Sequence, residues 1–599
     1  MAQTSRVADY LIEQVYDRGA KHIFFVPGTG CMHLTDALAK HKEVQAVSVH
    51  HEQAAAMAAL SFAKYNQTLG ACVVTTGCGG TNTMTGLLHA WQDSVPCVFI
   101  SGQAQRSHTI RNSGLSLRQM GRQEADIIAL VEPITKYAVM LNDPKEVAYH
   151  IEKAIYLAQE GRPGPVWIDV PLDIQNSLIN PDELEHYVPE EKDKLFLEFS
   201  KEELKSIVEE LNKAERPIVL AGNGIKLASA LDEFNEFVEK FKIPVTYSRL
   251  GADLIETDNP LSIGMVGMLG ASRAGNFALA NSDLVLCLGC RLSIDTTGYD
   301  FDKFAREAKI IVIDIDEIEH SKNTVKIDKF VHADVKVFLK ALNTQKINTT
   351  YENWTEKCKH WKDIFPVCTD EYRNSEMINM YYFTECLSEV LPEKATVVSD
   401  AGNAFFTTSP VLRLKKGQRS ITSGGQAEMG YALPASIGIY CASQGPVIAI
   451  NGDGSVMMNI QELGTISYYR FPIKICIMNN NGYSSIRHLQ NNAFRGRTIG
   501  TDPSNGVGFP NFEKVADAFN MSYVKISGSD NLKEKIKDML NMEGPVLCEV
   551  ICKHEQEFLS VSTAFNSKKR LVNRPLEDLY PFLDRELFFT EMIVEPIDQ

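Results

Sequence analysis

Two glycine-flanked strand ends carry the first hint of chemistry. "IAINGDGSVMMN" (Ile448 to Asn459) closes an apolar run in Gly452-Asp453-Gly454, and "IKICIMNNNG" closes another in Asn480, Asn481 and Gly482. A carboxylate, a carboxamide oxygen and loop carbonyls at the ends of neighbouring strands make a hard oxygen site, suited to Mg²⁺ with its carboxylate, water and phosphate ligands. Gly452 and Gly454 would allow close backbone approach and unusual dihedrals. The segment "SVMMNIQELGTISYY" from Ser455 reads as a crossover helix whose first amides suit a phosphate. A lone Gly-Asp-Gly is usually only a turn. Strand, GDGS, helix, strand and NNNG in that order point instead to a metal-held diphosphate.

A second acid stands far away in the chain. In "VQAVSVHHEQAAAMAALSFAKY" a strand is followed by Glu52 and an alanine-rich helix, where a glutamate alone would be an ordinary first-turn residue favoured by the dipole. Two small-residue loops, "VPGTGCMH" (Val26 to His33) and "TTGCGGTN" (Thr75 to Asn82), could admit a flat ligand. His33, His50 and His51 read as loop or helix-surface histidines rather than catalysts.

The elements that must position these residues alternate in type. Short runs apolar on both faces, such as "HIFFVPG", "ACVVTTG", "PVWIDVP", "DLVLCLGC" and "PVIAINGDG", are separated by helical patterns, which predicts parallel sheets covered on both sides. The expected fold is α/β, with three doubly wound parallel-sheet domains at about 1–185, 195–345 and 375–560, and a C-terminal tail at 561–599. A polar stretch from Glu190 to Glu203 reads as a linker, Trp354 to Arg373 as a helical connector, and the third domain repeats the style of the first.

Bulk properties narrow the class. The chain has 599 residues, 44% hydrophobic and 23% charged, and a net charge of −16 that argues against nucleic-acid binding. No apolar run approaches the roughly 18 residues of a membrane span, and the first residues lack the apolar region of a signal peptide. The thirteen cysteines lack metal-ligand spacing and read as reduced, mostly buried thiols. A cytoplasmic enzyme with no nucleic-acid or membrane partner is expected.

Taken together, the GDGS and NNNG turns, the HEQAAA glutamate, "TTGCGGTNTMTGLLHAWQDSVPCVFISGQ" and "SGGQAEMGYALPASIGI" resemble thiamine-diphosphate enzymes. The nearest resemblance is to acetolactate synthase (acetohydroxyacid synthase large subunit)-like proteins, from about residue 5 to 560. It implies that Asp453, Asn480 and the Gly482 carbonyl hold Mg²⁺ on the diphosphate, which Gly452, Gly454, Ser455 and Gly482 surround. Glu52 would bind the aminopyrimidine ring and drive proton removal, Met429 would bend the cofactor, and Gly28, Thr29 and Asn82 would contact it. Gln123 matches an active-site glutamine facing the reacting carbon. A homo-oligomer is implied, dimer or tetramer, with Glu52 and Asp453 of each site coming from different subunits. FAD along the middle domain is left open.

Two departures bear on the second substrate. Where the family has RFDDRVTG this chain has "RLSIDTTG", keeping Arg291 but placing Asp295 at the arginine that clamps an acceptor carboxylate. An acid there would repel a carboxylate. The family's tryptophan in MVRQWQ becomes Leu489 in "SIRHLQ". The expected function is decarboxylation of a 2-oxo acid such as pyruvate and carboligation to a larger, uncharged aldehyde or ketone, a nucleotide keto-sugar being one candidate. The alternatives are acetolactate synthase proper, a non-ligating decarboxylase or oxidase, and a binding protein that kept only the fold.

Overall fold

The computed structural model describes residues 4–190, 199–565 and 571–597, so most of the expected linker after Glu190 lies outside the described residues. The first sheet comprises β1 (His22–Phe25), β2 (Gln45–Ser48), β3 (Gly70–Val74), β4 (Cys97–Gln103), β5 (Tyr137–Met140) and β6 (Pro165–Pro171). They lie in the order β2-β1-β3-β4-β6-β5, every pair parallel. β4 and β6 are buried at every residue, which is why they read as mainly apolar on both faces, the polar Ser101, Gln103 and Asp169 being hydrogen-bonded to one another.

The middle sheet comprises β7 (Pro217–Ala221), β8 (Val245–Tyr247), β9 (Ser262–Met265), β10 (Leu284–Leu288), β11 (Lys309–Asp314) and β12 (Lys329–His332). Its order is β9-β8-β7-β10-β11-β12, the doubly wound arrangement whose direction reverses between its first and fourth strands. The third sheet comprises β13 (Thr396–Ser399), β14 (Arg419–Thr422), β15 (Val447–Gly452), β16 (Lys474–Asn479), β17 (Ser522–Ile526) and β18 (Val546–Ile551). Its order, β14-β13-β15-β16-β18-β17, repeats the order of the first sheet strand for strand and is again all parallel.

Five helices set the site: α1 (Glu52–Asn66), α2 (Met84–Gln92), α3 (Ala432–Ser443), α4 (Glu462–Tyr469) and α5 (Ser484–Ala493). α1 and α3 are built of small residues because their backbones touch. A Cβ on Gly438 of α3 would lie 2.0 Å from the Ala58 carbonyl oxygen of α1. The contact merges the inner faces of the first and third sheets into one apolar core. The described part of the tail closes on the middle domain, with Leu576, Leu579 and Phe588 in that domain's core and Glu577 paired to Arg306 at 2.6 Å. The connector helix (Glu352–Ile364) packs there too through Trp354 and Trp361.

Twelve cysteines are buried and Cys78 alone is exposed; the CxxC spacing of Cys287 and Cys290 lies inside the middle core, where burial pushes the Cys290 thiol up to about 11. Among the described residues no helix is long and apolar enough to cross a membrane.

Candidate cofactor site

Asp453 follows β15 directly and is buried. Its Oδ1 accepts from the Gly454 amide at 2.7 Å and its Oδ2 from the Gly482 amide at 2.9 Å. Burial outweighs these donors and pushes the carboxyl up to about 6. Asn480 is buried beside it, and its Nδ2 has no hydrogen-bond partner among the described residues. A buried carboxylate short of positive charge fits a cation, and the unpartnered Asn480 Nδ2, a donor, fits an anionic oxygen such as a phosphate beside it. No cluster of three or more His, Cys, Asp or Glu among the described residues could hold a metal alone, so a metal here needs the amide, the carbonyl and the phosphate. Gly482 sits at φ 144°, and a Cβ on it would meet the Thr501 carbonyl oxygen at 2.3 Å.

Two expectations about the GDGS turn need correction. Gly452 and Gly454 have ordinary backbone dihedrals. Gly454 is required for another reason, because a Cβ there would lie 2.1 Å from the Tyr483 ring; at Gly452 the nearest atom would be 3.7 Å away. Nor does a helix begin at Ser455. A 3-10 turn (Val456–Met458) comes first, and α4 starts at Glu462. The polar side chains that would head the helix are used sideways: Ser455 Oγ donates to Asp400 Oδ1 at 2.5 Å, and Asn459 Nδ2 to the Gly430 carbonyl at 2.8 Å. An anion here meets turn amides, not a helix terminus.

Asp400 is the residue the sequence reading missed. It ends "VVSD" after β13, a strand end like that of Asp453, and that likeness was the available signal. Besides Ser455 it accepts from the amides of Ala401 (2.7 Å), Gly430 (3.1 Å) and Ala432 (3.1 Å), and burial pushes it up to about 6. It thereby ties the diphosphate-type turn to the loop carrying Met429, which is half-buried; a Cβ on the adjacent Gly430 would lie 2.6 Å from Met458 Cβ.

The first-domain residues form their own group. Glu52 is the first residue of α1, nearly buried, and its Oε2 accepts from Asn82 Nδ2 at 2.9 Å. Oε1 faces Gly79, where a Cβ would stand 3.7 Å away. His51 caps the helix, its Nδ1 accepting from the Gln53 amide at 3.2 Å. Gly28 packs on Thr75, a Cβ there falling 2.5 Å from the threonine side chain, while Thr29 is exposed. Gln123 is exposed at φ 58°, and its carbonyl oxygen occupies the space a Cβ on Gly77 would need. Among the described residues of one chain, no hydrogen bond or ion pair joins this group to Asp453, Asn480, Ser455 or Met429.

Comparison with known proteins agrees with this division. Residues 5–130 match the thiamine pyrophosphate enzyme N-terminal TPP binding domain, 204–342 the central domain and 400–550 the C-terminal TPP binding domain. The chain belongs to the thiamine pyrophosphate enzymes. It is 32% identical to the acetolactate synthase large subunit of Cyanidium caldarium over 558 residues, 90% of this chain and 92% of that protein. It is 32% identical to the chloroplastic acetolactate synthase of Arabidopsis thaliana over 572 residues (93% and 83%), and 30% identical to the acetolactate synthase large subunit of Haemophilus influenzae over 547 (90% and 93%). It is thus an enzyme of the acetolactate-synthase-like, carboligase kind.

In this thiamine pyrophosphate enzyme an open cleft lies beyond β7 and β10, where the order of the middle sheet reverses. Asn223, Arg249, Arg291, Asp295 and Asp314 are among its walls. Arg249 stacks on Phe405 at 4.3 Å and lies 3.3 Å from Asp295 Oδ2; its buried Nε has no partner among the described residues. Asp295 is half exposed to the cleft and Leu489 projects from α5 at 59% exposure.

Proposed function

We propose that the enzyme binds thiamine diphosphate and Mg²⁺ between two copies of the chain, decarboxylates pyruvate, and joins the resulting acetyl unit to a larger, uncharged carbonyl acceptor. Asp453, Asn480 and the Gly482 carbonyl would hold the metal, and Gly452, Gly454 and Ser455 would surround the diphosphate. Bound thiamine diphosphate would supply an acidic carbon and an electron sink for the decarboxylation of a 2-oxo acid. Glu52 keeps Oε1 free while Asn82 holds Oε2, so one carboxyl oxygen can share a proton with a ring nitrogen. Met429 would press on the bend of the cofactor, and Gly28, Thr29 and Gln123 would border the ring and the reacting end. That no hydrogen bond or ion pair joins the Glu52 and Asp453 groups among the described residues of one chain supports a site completed by a partner chain.

The acceptor rests on one observation: Asp295 stands where acetolactate synthases carry an arginine, and it is tied to Arg249. A half-exposed carboxylate accepts hydrogen bonds from hydroxyl groups and repels a second 2-oxo acid. A sugar-like aldehyde or ketone, including a nucleotide keto-sugar, suits it. The test is to incubate the protein with pyruvate, thiamine diphosphate, Mg²⁺ and a panel of aldehydes, ketones and nucleotide keto-sugars, and to weigh the products. A mass equal to acceptor plus acetaldehyde is expected. Fast acetolactate formation from pyruvate alone would overturn the acceptor and leave acetolactate synthase proper; free acetaldehyde or oxygen uptake would leave a decarboxylase or an oxidase. FAD would lie in the middle-domain cleft, where three arginines (Arg162, Arg249 and Arg291) suit a diphosphate; flavin absorbance of the purified protein decides its presence.

A further inference from the structure

Four ionisable side chains are buried together where the first domain meets the third, and the chemistry above does not use them. His89 of α2 is fully buried, with Nδ1 2.5 Å from Glu428 Oε1 and Nε2 2.9 Å from Asp93 Oδ2. Lys64, near the end of α1, donates to the same Asp93 oxygen at 2.6 Å and to the Thr422 carbonyl at 3.1 Å. Asp93 also accepts from the amides of Gly424 (2.9 Å) and Gly425 (2.7 Å), and Ser423 Oγ donates to Glu428 Oε2 at 2.5 Å. The loop between β14 and α3 is therefore gripped by first-domain side chains at Thr422, Gly424, Gly425 and Glu428. Beyond Met429, Asp400 holds Gly430.

His89 Nε2 also lies 2.6 Å from Lys64 Nζ, so the four groups form one hydrogen-bonded, electrostatically coupled cluster. Burial and the Lys64 ammonium push the His89 imidazole down; Glu428 and Asp93 on its two sides push it up by more. Burial raises Asp93 and Glu428, and their cationic neighbours bring both below the ordinary carboxylate range. Such a cluster is costly to break by one member, since the partner is left as an unpaired buried charge.

We propose that His89 and Glu428 form a positioning pair that sets Met429 against the cofactor. The pair acts on the residue adjacent to Glu428, through a loop with no regular structure to hold it. This rests on the assignment of Met429 above.

The test uses the full-length protein as His89→Gln, Glu428→Gln and the double variant. Amide hydrogen exchange of the peptide spanning residues 422–430 is measured without cofactor. Proton exchange at the thiazolium carbon of bound thiamine diphosphate is measured with Mg²⁺ and no substrate. Each single variant should speed amide exchange and slow thiazolium exchange about tenfold, with the half-saturating cofactor concentration changed less than threefold, because the diphosphate contacts are untouched. The double variant, which removes both partners of the pair instead of leaving one buried and unpaired, should return both rates to within about threefold of the parent. Unchanged rates in folded single variants, or a double variant no better than the worse single, overturn the proposal. Should the single variants not fold, Ser423→Ala, which removes only the bond to Glu428 Oε2 and the Ala427 amide contact, must still speed loop exchange; no change there also overturns it. A parent protein that binds no thiamine diphosphate sinks the cofactor assignment instead, and loop exchange still reports on the pair.

Discussion

The first and third domains lay six parallel strands in the same order and then put different chemistry at matching strand ends. After the first strand stand Gly28 and Thr29 in one domain and Asp400 in the other; after the second, Glu52 and Met429; after the third, the Gly77 to Asn82 loop and Asp453; after the fourth, Ala104 and Asn480. The helices that follow the second strands, α1 and α3, pack on each other. The sixth strands each bury an acid: Asp169, which accepts from Ser101 Oγ and Gln103 Nε2, and Glu549, which accepts from Asn479 Nδ2 and Tyr523 Oη. A shared frame settles where loops go, and loop residues settle what each strand end presents.

Several substitutions would sharpen or break that contrast. The largest effect belongs to the first domain: Glu52→Gln should lower carbon dioxide release from pyruvate by about 10²–10⁴ while the melting temperature holds, and an active variant would remove Glu52 from proton transfer. Mixing Glu52→Gln with Asp453→Asn protein should restore about a quarter of the parental activity, since half the dimers are mixed and each mixed dimer has one intact site. No recovery after subunit exchange would mean that both groups serve a site within one chain. Asp453→Asn alone should raise the Mg²⁺ concentration for half-maximal activity at least about tenfold, whereas Glu52→Gln should leave it unchanged.

Smaller effects test the frame. Gly454→Ala should destabilise by about 1–3 kcal/mol because the methyl overlaps the Tyr483 ring, and Gly452→Ala should stay within about 1 kcal/mol. Equal melting shifts would refute the packing reason given for Gly454. Asp169 is pushed up to about 7, chiefly by burial. A raised folded value makes its contribution full below about pH 4 and lost as pH rises through about 7. Asp169→Asn lacks this loss, so denaturant titrations should favour the variant over the parent by about 1–3 kcal/mol more at pH 8 than at pH 4. A parallel pH dependence of the two proteins would contradict it.

Much of the fold was legible because a strand buried on both faces is apolar on both, and "CVFISGQ" and "PVWIDVP", with few polar residues, are β4 and β6. The reach of α4 was misread because Ser455 and Asn459 look neutral in a helical pattern, while in the fold they bond the loops of Asp400 and Gly430. Of the two reasons expected for Gly454, close approach and unusual dihedrals, the fold uses the first, and only the neighbouring ring shows what approaches. Asp400 escaped notice because one acid at one strand end carries no distinguishing spacing.

By itself the sequence determined the parallel architecture and the thiamine pyrophosphate family, because both are written in local runs and short motifs. Tertiary structure alone decided the partnerships: Asp400 with Ser455, His89 with Glu428, and Arg249 with Asp295. Local periodicity records that a side chain is buried or exposed. It holds no record of which distant group meets that side chain once the sheets are stacked, and that meeting sets charge, orientation and choice of substrate.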